Sequence, residues 1–350
     1  MAFQFTDTFC TITSVSQAPY EATSGTITYS SAYARFAPPS GCQGGGVSIG
    51  QYLRKNLSGN LATLIGFCSY GAPALPGSLN SGIIGFLDNG TIQTFLAVTA
   101  SGALQFYRGG SGGSNIAIGP STASGLISTA TLPVHGVEVV VTFSTTVGQV
   151  QCWLDGNQVI NSSANLNTSN SGNAYANQVE IGGYIGNTNA GMYTDYLRVW
   201  DSTGSSQNAA LGTDRQPVTK LPSGAGTNTH WTPNGLGTNH ACVAVVPPNT
   251  SDYVSANGTA VIDDYAMPFA SLVGAPSQVV AVSYYQKTDS NTRTYTNGVL
   301  SSGTAGTGTT FTANSGLTWV QNCIALNPNG SAVWTAGTAD AAHFYHEEVT

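Results

Sequence analysis

GVEVVVTFSTTVGQVQCWLDGNQVI, residues 136 to 160, is the stretch whose reading decides the fold. Val137, Val139, Val141 and Phe143 fall on one face of an extended chain, with Glu138 and Thr142 on the other. After the break STTVG the alternation resumes, with Val150, Cys152 and Leu154 facing one way and Gln149, Gln151 and Trp153 the other. Asp155-Gly156 then supplies a two-residue turn into NQVI. A period of two, punctuated by such a turn, specifies antiparallel strands with one buried face.

The same pattern extends in both directions. GFLDNGTIQTFLAV (85–98) carries Asn89-Gly90, another hairpin signal, and NQVEIGGYIG (177–186) and MYTDYLRVW (192–200) supply two further strands. Together they predict an antiparallel two-sheet sandwich. At 200–217, WDSTGSSQNAALGTDRQP, a strong strand ending in Trp200 gives way to a polar, Gly-bearing connection closed by Pro217. The domains expected are therefore 1–203, a linker at 204–217, and a smaller β-sandwich at 218–350. In the last, HACVAVV (240–246), QVVAVSYYQK (278–287), NTRTYTNGV (291–299), LTWVQNCIAL (317–326) and AHFYHEEV (342–349) read as strands. VWTAGTADA (333–341) is the one place expected to form a helical turn.

Composition agrees with an all-β chain. Only 7% of the 350 residues are charged, whereas Gly numbers 43, so the material of helical surfaces is scarce and that of short strands and turns is plentiful. The net charge of −7 is spread thinly, and no basic cluster exceeds Arg54-Lys55, which excludes an electrostatic footprint for nucleic acid or an anionic membrane. No apolar run is long enough to span a bilayer. The opening MAFQFTDTFCTITS has neither a basic n-region nor an apolar h-region, so no signal peptide is expected. The six cysteines (Cys10, Cys42, Cys68, Cys152, Cys242, Cys323) are dispersed, without C-x-x-C or zinc-finger spacing, and read as small buried hydrophobes.

Catalytic signatures are absent. The acids of the first half are Asp7, Glu21, Asp88, Glu138, Asp155, Glu180, Asp195 and Asp201, and none lies within four residues of another. The i, i+2 or i, i+4 carboxylate pair of a jelly-roll glucanase is therefore missing, although a pair assembled from different strands stays open. Asp155 reads as a turn former. No cofactor is expected. The one candidate for a Ca²⁺ ion lies beside Asp195 and Asp201, which flank a strand, and no Asp-x-Asp-x-Asp run supports it. His343 and His346, three apart on a strand, fall on opposite faces and make a poor metal pair. Neither GGSGGSNIAIG nor GCQGGGVSIG carries the Lys-Ser/Thr of a phosphate loop. Trp153, flanked on its face by Gln149 and Gln151, is the candidate glycan or partner contact: an indole stacks on a sugar ring while amides bond to hydroxyls. The competing reading is that this face packs against a loop or a neighbouring subunit.

The stretch VEVVVTFSTTVGQVQCWLDGNQV with VEIGGYIGNTNAGMYTDYLRVWDSTG resembles the late strands of a laminin-G/concanavalin-A-like jelly roll. LGTDRQPVTKLPSGAGTNTHWTPNG, TSDYVSANGTAVIDDYAM, VVAVSYYQKTDSNTRTYTNGV and NPNGSAVWTAGTADAAHF resemble the C-terminal module of tailed-bacteriophage virion proteins. Tyr196 departs from the jelly-roll pattern, which often has a second Asp after the position of Asp195. The resemblance implies a non-enzymatic virion protein, made in the host cytoplasm and released by lysis. Its implied partners are other virion proteins, a second and third copy of itself (a homotrimer, as in phage appendages generally), and a host-surface glycan. It also implies a role as a tail-associated fibre or adhesin, with capsid decoration or a capsid fibre as the alternative. A cellular glycan-binding lectin or a glycoside hydrolase is the reading from another class.

Overall fold

The structure, a computed structural model, describes residues 3–7, 20–24, 27–30, 35, 44–47, 51–77, 80–109, 115–129, 135–182, 192–204, 207–214, 218–245, 248–256, 258–268, 272 and 274–350. Cys10, Cys42 and parts of both glycine-rich stretches lie outside the described residues. The chain divides into two compact units, Met1–Pro217 and Val218–Thr350, and both are built of antiparallel β-structure.

In chain order the first unit contains β1 (Phe3–Asp7), β2 (Ala22–Ser24), β3 (Ile27–Ser30), β4 (Gly44–Val47), β5 (Tyr52–Leu61), β6 (Thr63–Tyr70), β7 (Ser81–Asp88) and β8 (Thr91–Val98). These are followed by β9 (Leu104–Arg108), β10 (Ile116–Ile118), β11 (His135–Thr142), β12 (Gly148–Leu154), β13 (Asn157–Leu166), β14 (Ala176–Ile181), β15 (Met192–Thr194) and β16 (Leu197–Asp201). Sheet A has the order β1-β16-β6-β11-β12-β13, and sheet B the order β10-β9-β8-β7-β14-β5-β2. A small third sheet, β15-β4-β3, completes the unit.

Sheets A and B lie face to face on one core. In sheet A, Phe5, Val199, Gly66, Val139, Cys152 and Ile160 are successive cross-strand partners or close neighbours over six strands. In sheet B the matching row is Leu53, Ile181, Ile84, Leu96, Phe106 and Ile118. Apart from the glycine, all of these belong to one buried cluster. Each fully buried Leu, Ile, Val or Phe contributes about 1.5–3 kcal/mol relative to exposure. At Gly66 a Cβ would stand 2.6 Å from Ile84 Cδ1 and 3.2 Å from Phe86 Cζ, so the missing side chain is what lets the sheets close. The Asp155-Gly156 turn has both residues at positive φ (51° and 80°), as do Asn89 and Gly90 (45° and 86°), the geometry of a tight hairpin whose twist matches its strands.

The second unit contains β17 (Gly224–Thr229), β18 (Thr232–Asn234), α1 (Asn239–Val243), β19 (Tyr253–Ser255), β20 (Val261–Ala266), β21 (Val279–Tyr285) and β22 (Thr294–Ser301). β23 (Thr304–Thr307), β24 (Phe311–Thr312), β25 (Thr318–Ile324), α2 (Ala336–Asp340) and β26 (His343–Glu348) follow. Its main sheet runs β17-β20-β26-β22-β23, and the β21-β25 ribbon packs on it through Ala281, Tyr285 and Val320. The helical turn expected near 333–341 is α2, closed by a capping box between Thr335 and Thr338. HACVAVV does not form a strand. Its first residues make the single-turn helix α1, with Cys242 buried. Glycines before it and Pro247-Pro248 after it in the sequence leave a short run, and its backbone closes on itself, Cys242 N–H donating to Thr238 O and Ala244 N–H to His240 O, each at 3.1 Å. Cys68, Cys152, Cys242 and Cys323 are buried free thiols.

A polar chain pins this unit together. The Tyr265 hydroxyl donates to Asp263 Oδ2, and His346 Nε2 lies 2.8 Å from the same hydroxyl. One hydroxyl has one hydrogen, so His346 must donate from Nε2 and is held as that neutral tautomer. Trp231 stacks on the imidazole at 4.2 Å, and Asn239 Nδ2 donates to Asp263 Oδ2 at 2.8 Å. His343, on the opposite face of β26, lies against Asp264 at 2.5 Å. Burial pulls the His346 imidazole down to about 3. The unfolded chain, with an ordinary histidine near 6.5, therefore takes up the proton first as pH falls. Stability from this group is full above about pH 6.5 and drops toward pH 3, by at most about 1.4 kcal/mol per pH unit. Hydrogen exchange of residues 218–350 between pH 7 and 4 should show this slope, and His346→Gln, which keeps a donor but cannot ionise, should flatten it. Equal slopes in the two proteins would refute the assignment.

Candidate functional site

The outer face of sheet A carries the residues singled out in the sequence. On β12, Gln149, Gln151 and Trp153 point away from the core, opposite Thr142, Val140 and Glu138 of β11. Gln149 is exposed and Gln151 half-buried, with Gln151 Nε2 donating to Asn161 Oδ1 of β13 at 3.1 Å. Trp153 is half-buried. The result is a row of amides leading to an indole, with no ionisable group among them.

What closes the tryptophan end is chain that composition assigned to a linker. Leu211 packs with Ile65, Phe67, Tyr196 and Trp200, and the Trp200 indole donates to Ala209 O at 3.1 Å. Glu138, 1% exposed, accepts from Leu211 N–H at 2.7 Å and Gly212 N–H at 2.8 Å. A buried carboxylate is costly unless donors satisfy it, and here two backbone amides do so. Gly212 adopts φ +61°, and a Cβ there would lie 3.6 Å from Trp153 Nε1. Residues 207–214 are thus a strap across the sheet, and Trp153 stands at its border.

The strap is fastened by ions. Arg35 donates to both oxygens of Asp214, each at 2.7 Å, and to Asp155 Oδ1 at 3.1 Å. Asp155 also accepts from Gly136 N–H at 2.8 Å and contacts His135 Nδ1 at 2.7 Å. Burial pushes the Asp155 carboxyl up, but the hydrogen bonds from His135 and Gly136 and the charge of Arg35 outweigh it and hold it below its ordinary value. Asp155 is therefore both a turn former and an anchor. The turn was legible in the sequence; the anchor was not, because its partners lie 19 to 120 positions away.

Asp195 and Asp201 are not brought together. Asp195 lies two residues before β16 and accepts from Arg35 N–H at 2.5 Å, whereas Asp201 ends the strand and accepts from Gln4 Nε2 at 2.6 Å and Thr203 N–H at 2.7 Å. Among the described residues, no group of three or more His, Cys, Asp or Glu is placed to hold a metal ion.

A second polar feature escaped the sequence reading. Across the outer face of sheet B, Arg54, Glu180, Gly85, Phe95 and Tyr107 are successive cross-strand partners. Arg54 Nε and Nη2 donate to Glu180 Oε2 at 2.9 and 2.6 Å, and the guanidinium lies 4.7 Å from the Tyr52 ring centre. Burial drives the Glu180 carboxyl up to about 7 against the opposing pull of Arg54. Half of the signal was available: Glu180 stands between Val179 and Ile181 at a position pointing away from the core, whereas Arg54, followed by Lys55 and Asn56, reads as an ordinary solvated stretch.

Comparison with known protein families and with curated proteins finds no match. Among solved structures, the chain is similar to domain 4 of an extracellular arabinanase from Geobacillus stearothermophilus, in complex with arabinotriose, at 11% identity and a TM-score of 0.35 over 57% of this chain and 93% of that one. It is also similar to carbohydrate-binding module 66 from Bacillus subtilis (10% identity, TM-score 0.31, 50% of this chain and 95% of that one). A Trypanosoma rangeli sialidase matches at 16% identity and a TM-score of 0.32, over 45% of this chain and 25% of that one. All share a β-sandwich architecture, and at these scores the likeness carries no argument about function.

The strap's attachment can be tested at Glu138. Glu138→Gln replaces one of two charge-assisted acceptors by an amide nitrogen that cannot accept, and should cost about 1–3 kcal/mol. The amides of 207–214 should exchange faster while those of β6 and β11 stay protected. Unchanged exchange in 207–214 would remove Glu138 as the anchor.

Proposed function

We propose that the chain is a non-enzymatic structural component of a tailed-phage virion, a tail-associated fibre or adhesin whose first unit meets host-surface glycan through Gln149, Gln151 and Trp153. The observation that carries the non-enzymatic part is how the carboxylates are spent. Glu138 holds the strap, Asp155 holds Arg35 and a hairpin, Glu180 holds Arg54, and Asp201 holds Gln4 and Thr203. Asp155 and Asp214 do approach one another, but a guanidinium lies between them, where a glycosidase needs room for a sugar. The virion assignment rests on the sequence resemblance, which runs through both halves of the chain. It also accounts for the coat of amides and hydroxyls on a protein so poor in charge.

The glycan contact follows from chemistry at the strap's border. A half-exposed indole offers a stacking face, and Gln149, Gln151 and Asn161 offer both donors and acceptors to hydroxyls. On a glycan array the protein should bind, and Trp153→Ala should lower affinity by roughly tenfold or more, the equivalent of about 1.4 kcal/mol. Mass spectrometry of purified particles should find the chain at a few copies per virion. Copies in the hundreds would move it to capsid decoration, absence from particles would refute the virion reading, and release of sugars from a polysaccharide would refute the non-enzymatic one.

A further inference from the structure

Asn-Gly steps occur in the chain at Asn89, Asn234, Asn257, Asn297 and Asn329. In each, the asparagine carboxamide stands next to a backbone N–H that no β-carbon shields, the arrangement from which a succinimide ring closes. The fold treats these steps differently. Asn257 lies outside the described residues. Asn89-Gly90 is exposed but tied: Asn89 Nδ2 donates to Asp88 Oδ1 at 3.0 Å, Asn89 Oδ1 accepts from Asn177 Nδ2 at 3.3 Å, and Gly90 N–H donates to Gln178 Oε1 at 2.7 Å. Asn234 Nδ2 donates to Thr232 O and Ser255 Oγ, each at 3.1 Å. Its glycine is walled in, since a Cβ at Gly235 would stand 2.3 Å from Asp252 Oδ1 and 2.4 Å from Ser251 O. Asn297 is fully buried in β22, with Nδ2 donating to Ser283 Oγ at 2.7 Å and Oδ1 accepting from Asn322 Nδ2 at 2.6 Å.

Asn329-Gly330 is the contrast. Both residues are exposed, in the turn that the Asn327–Ala332 bridge closes. Asn327 Oδ1 accepts from Asn329 N–H at 3.0 Å, which fixes the entry to the turn. Beyond that point nothing is held: among the described residues, neither the Asn329 carboxamide nor the Gly330 N–H has a hydrogen-bond partner. A Cβ at Gly330 would meet nothing within 4 Å, so the space that a ring needs is open.

We infer that Asn329 is a modification site at which the folded protein converts its own amide to a carboxylate, while Asn89, Asn234 and Asn297 are protected. Solvent hydroxide takes the Gly330 N–H proton, and the nitrogen adds to Asn329 Cγ, closing a succinimide ring. The Cγ–Nδ2 bond then breaks, and Nδ2 takes a proton from water and leaves as ammonia. A water molecule opens the ring at either carbonyl, giving aspartate or, where the main chain now runs through Cγ, isoaspartate. In sum, one amide and one water become one acid and one ammonia. Nucleophile and carbonyl sit on adjacent residues, so the ring closes by rotation of a side chain that no hydrogen bond holds. The new charge arrives in the turn that joins Leu326 and Val333, which are 37% and 74% exposed, so an apolar stretch of surface gains a carboxylate as the protein ages.

The test is a peptide map of the full-length chain, kept folded in mildly alkaline buffer and sampled over weeks. The peptide holding Asn329 should divide into amide, aspartate and isoaspartate forms, while those holding Asn89, Asn234 and Asn297 keep their amides. In the chain unfolded in urea, all of these steps should lose ammonia at comparable rates, because the selection is made by the fold. Asn329→Gln, whose longer side chain would have to close a larger ring, should remove the acidic form that isoelectric focusing of the aged chain reveals. An Asn329 that keeps its amide in the folded chain while the unfolded chain loses it overturns the inference. So does a folded chain in which Asn89, Asn234 or Asn297 reacts as fast as Asn329, or an aged Asn329→Gln chain with the same acidic form. Should the variant fail to fold, the wild-type maps decide alone.

Discussion

The first unit depends on one contact, the closure of sheet A on sheet B over Gly66. Six strands contribute a continuous inner row to sheet A, and its middle position has no side chain, so Ile84 and Phe86 of sheet B descend into the gap. Interiors are packed like crystals, and a β-carbon at this point would part the sheets or push two large side chains off their rotamers. The hairpins at 89–90 and 155–156 and the bulges of β7 and β14 serve this contact by setting which residues face inward.

Charge is scarce, and several of the ionic groups among the described residues hold structural posts. In a surface rich in Lys and Glu, a single pair is worth little. Here Arg35, Arg54 and Arg293 each hold a carboxylate that is buried or borders a turn, and each joins segments distant in sequence. In the second unit the buried Asp263 is held instead by the Tyr265 hydroxyl and the Asn239 amide, with His346 completing the chain. Such networks are rigid when every member is satisfied.

The strand pattern was legible because its signal is local. Alternation over 136–160 and the Asn-Gly and Asp-Gly turns located the hairpins, and the alternation of Gln149, Gln151 and Trp153 put them on one outer face. The rest was not local. Nothing near Glu138 announces that it will bind Leu211 and Gly212, 73 and 74 positions on. Residues 204–217 read as a linker since small polar residues look alike in a loose connection and in a strap whose hold is one leucine and its backbone. HACVAVV alternates well enough for a strand, but the glycines and prolines that bracket it in the sequence leave a run that closes as one helical turn.

The amide row of sheet A carries no charge, and this bears on the glycan contact proposed for it. Charged contact surfaces lose their pull as ionic strength rises, since the Debye length shrinks from about 10 Å at 0.1 M salt to about 3 Å at 1 M. A surface of Gln149, Gln151, Asn161 and an indole has nothing for salt to screen. The contact proposed for it would draw on hydrogen bonds and apolar area, which hold in dilute fresh water and in brine alike.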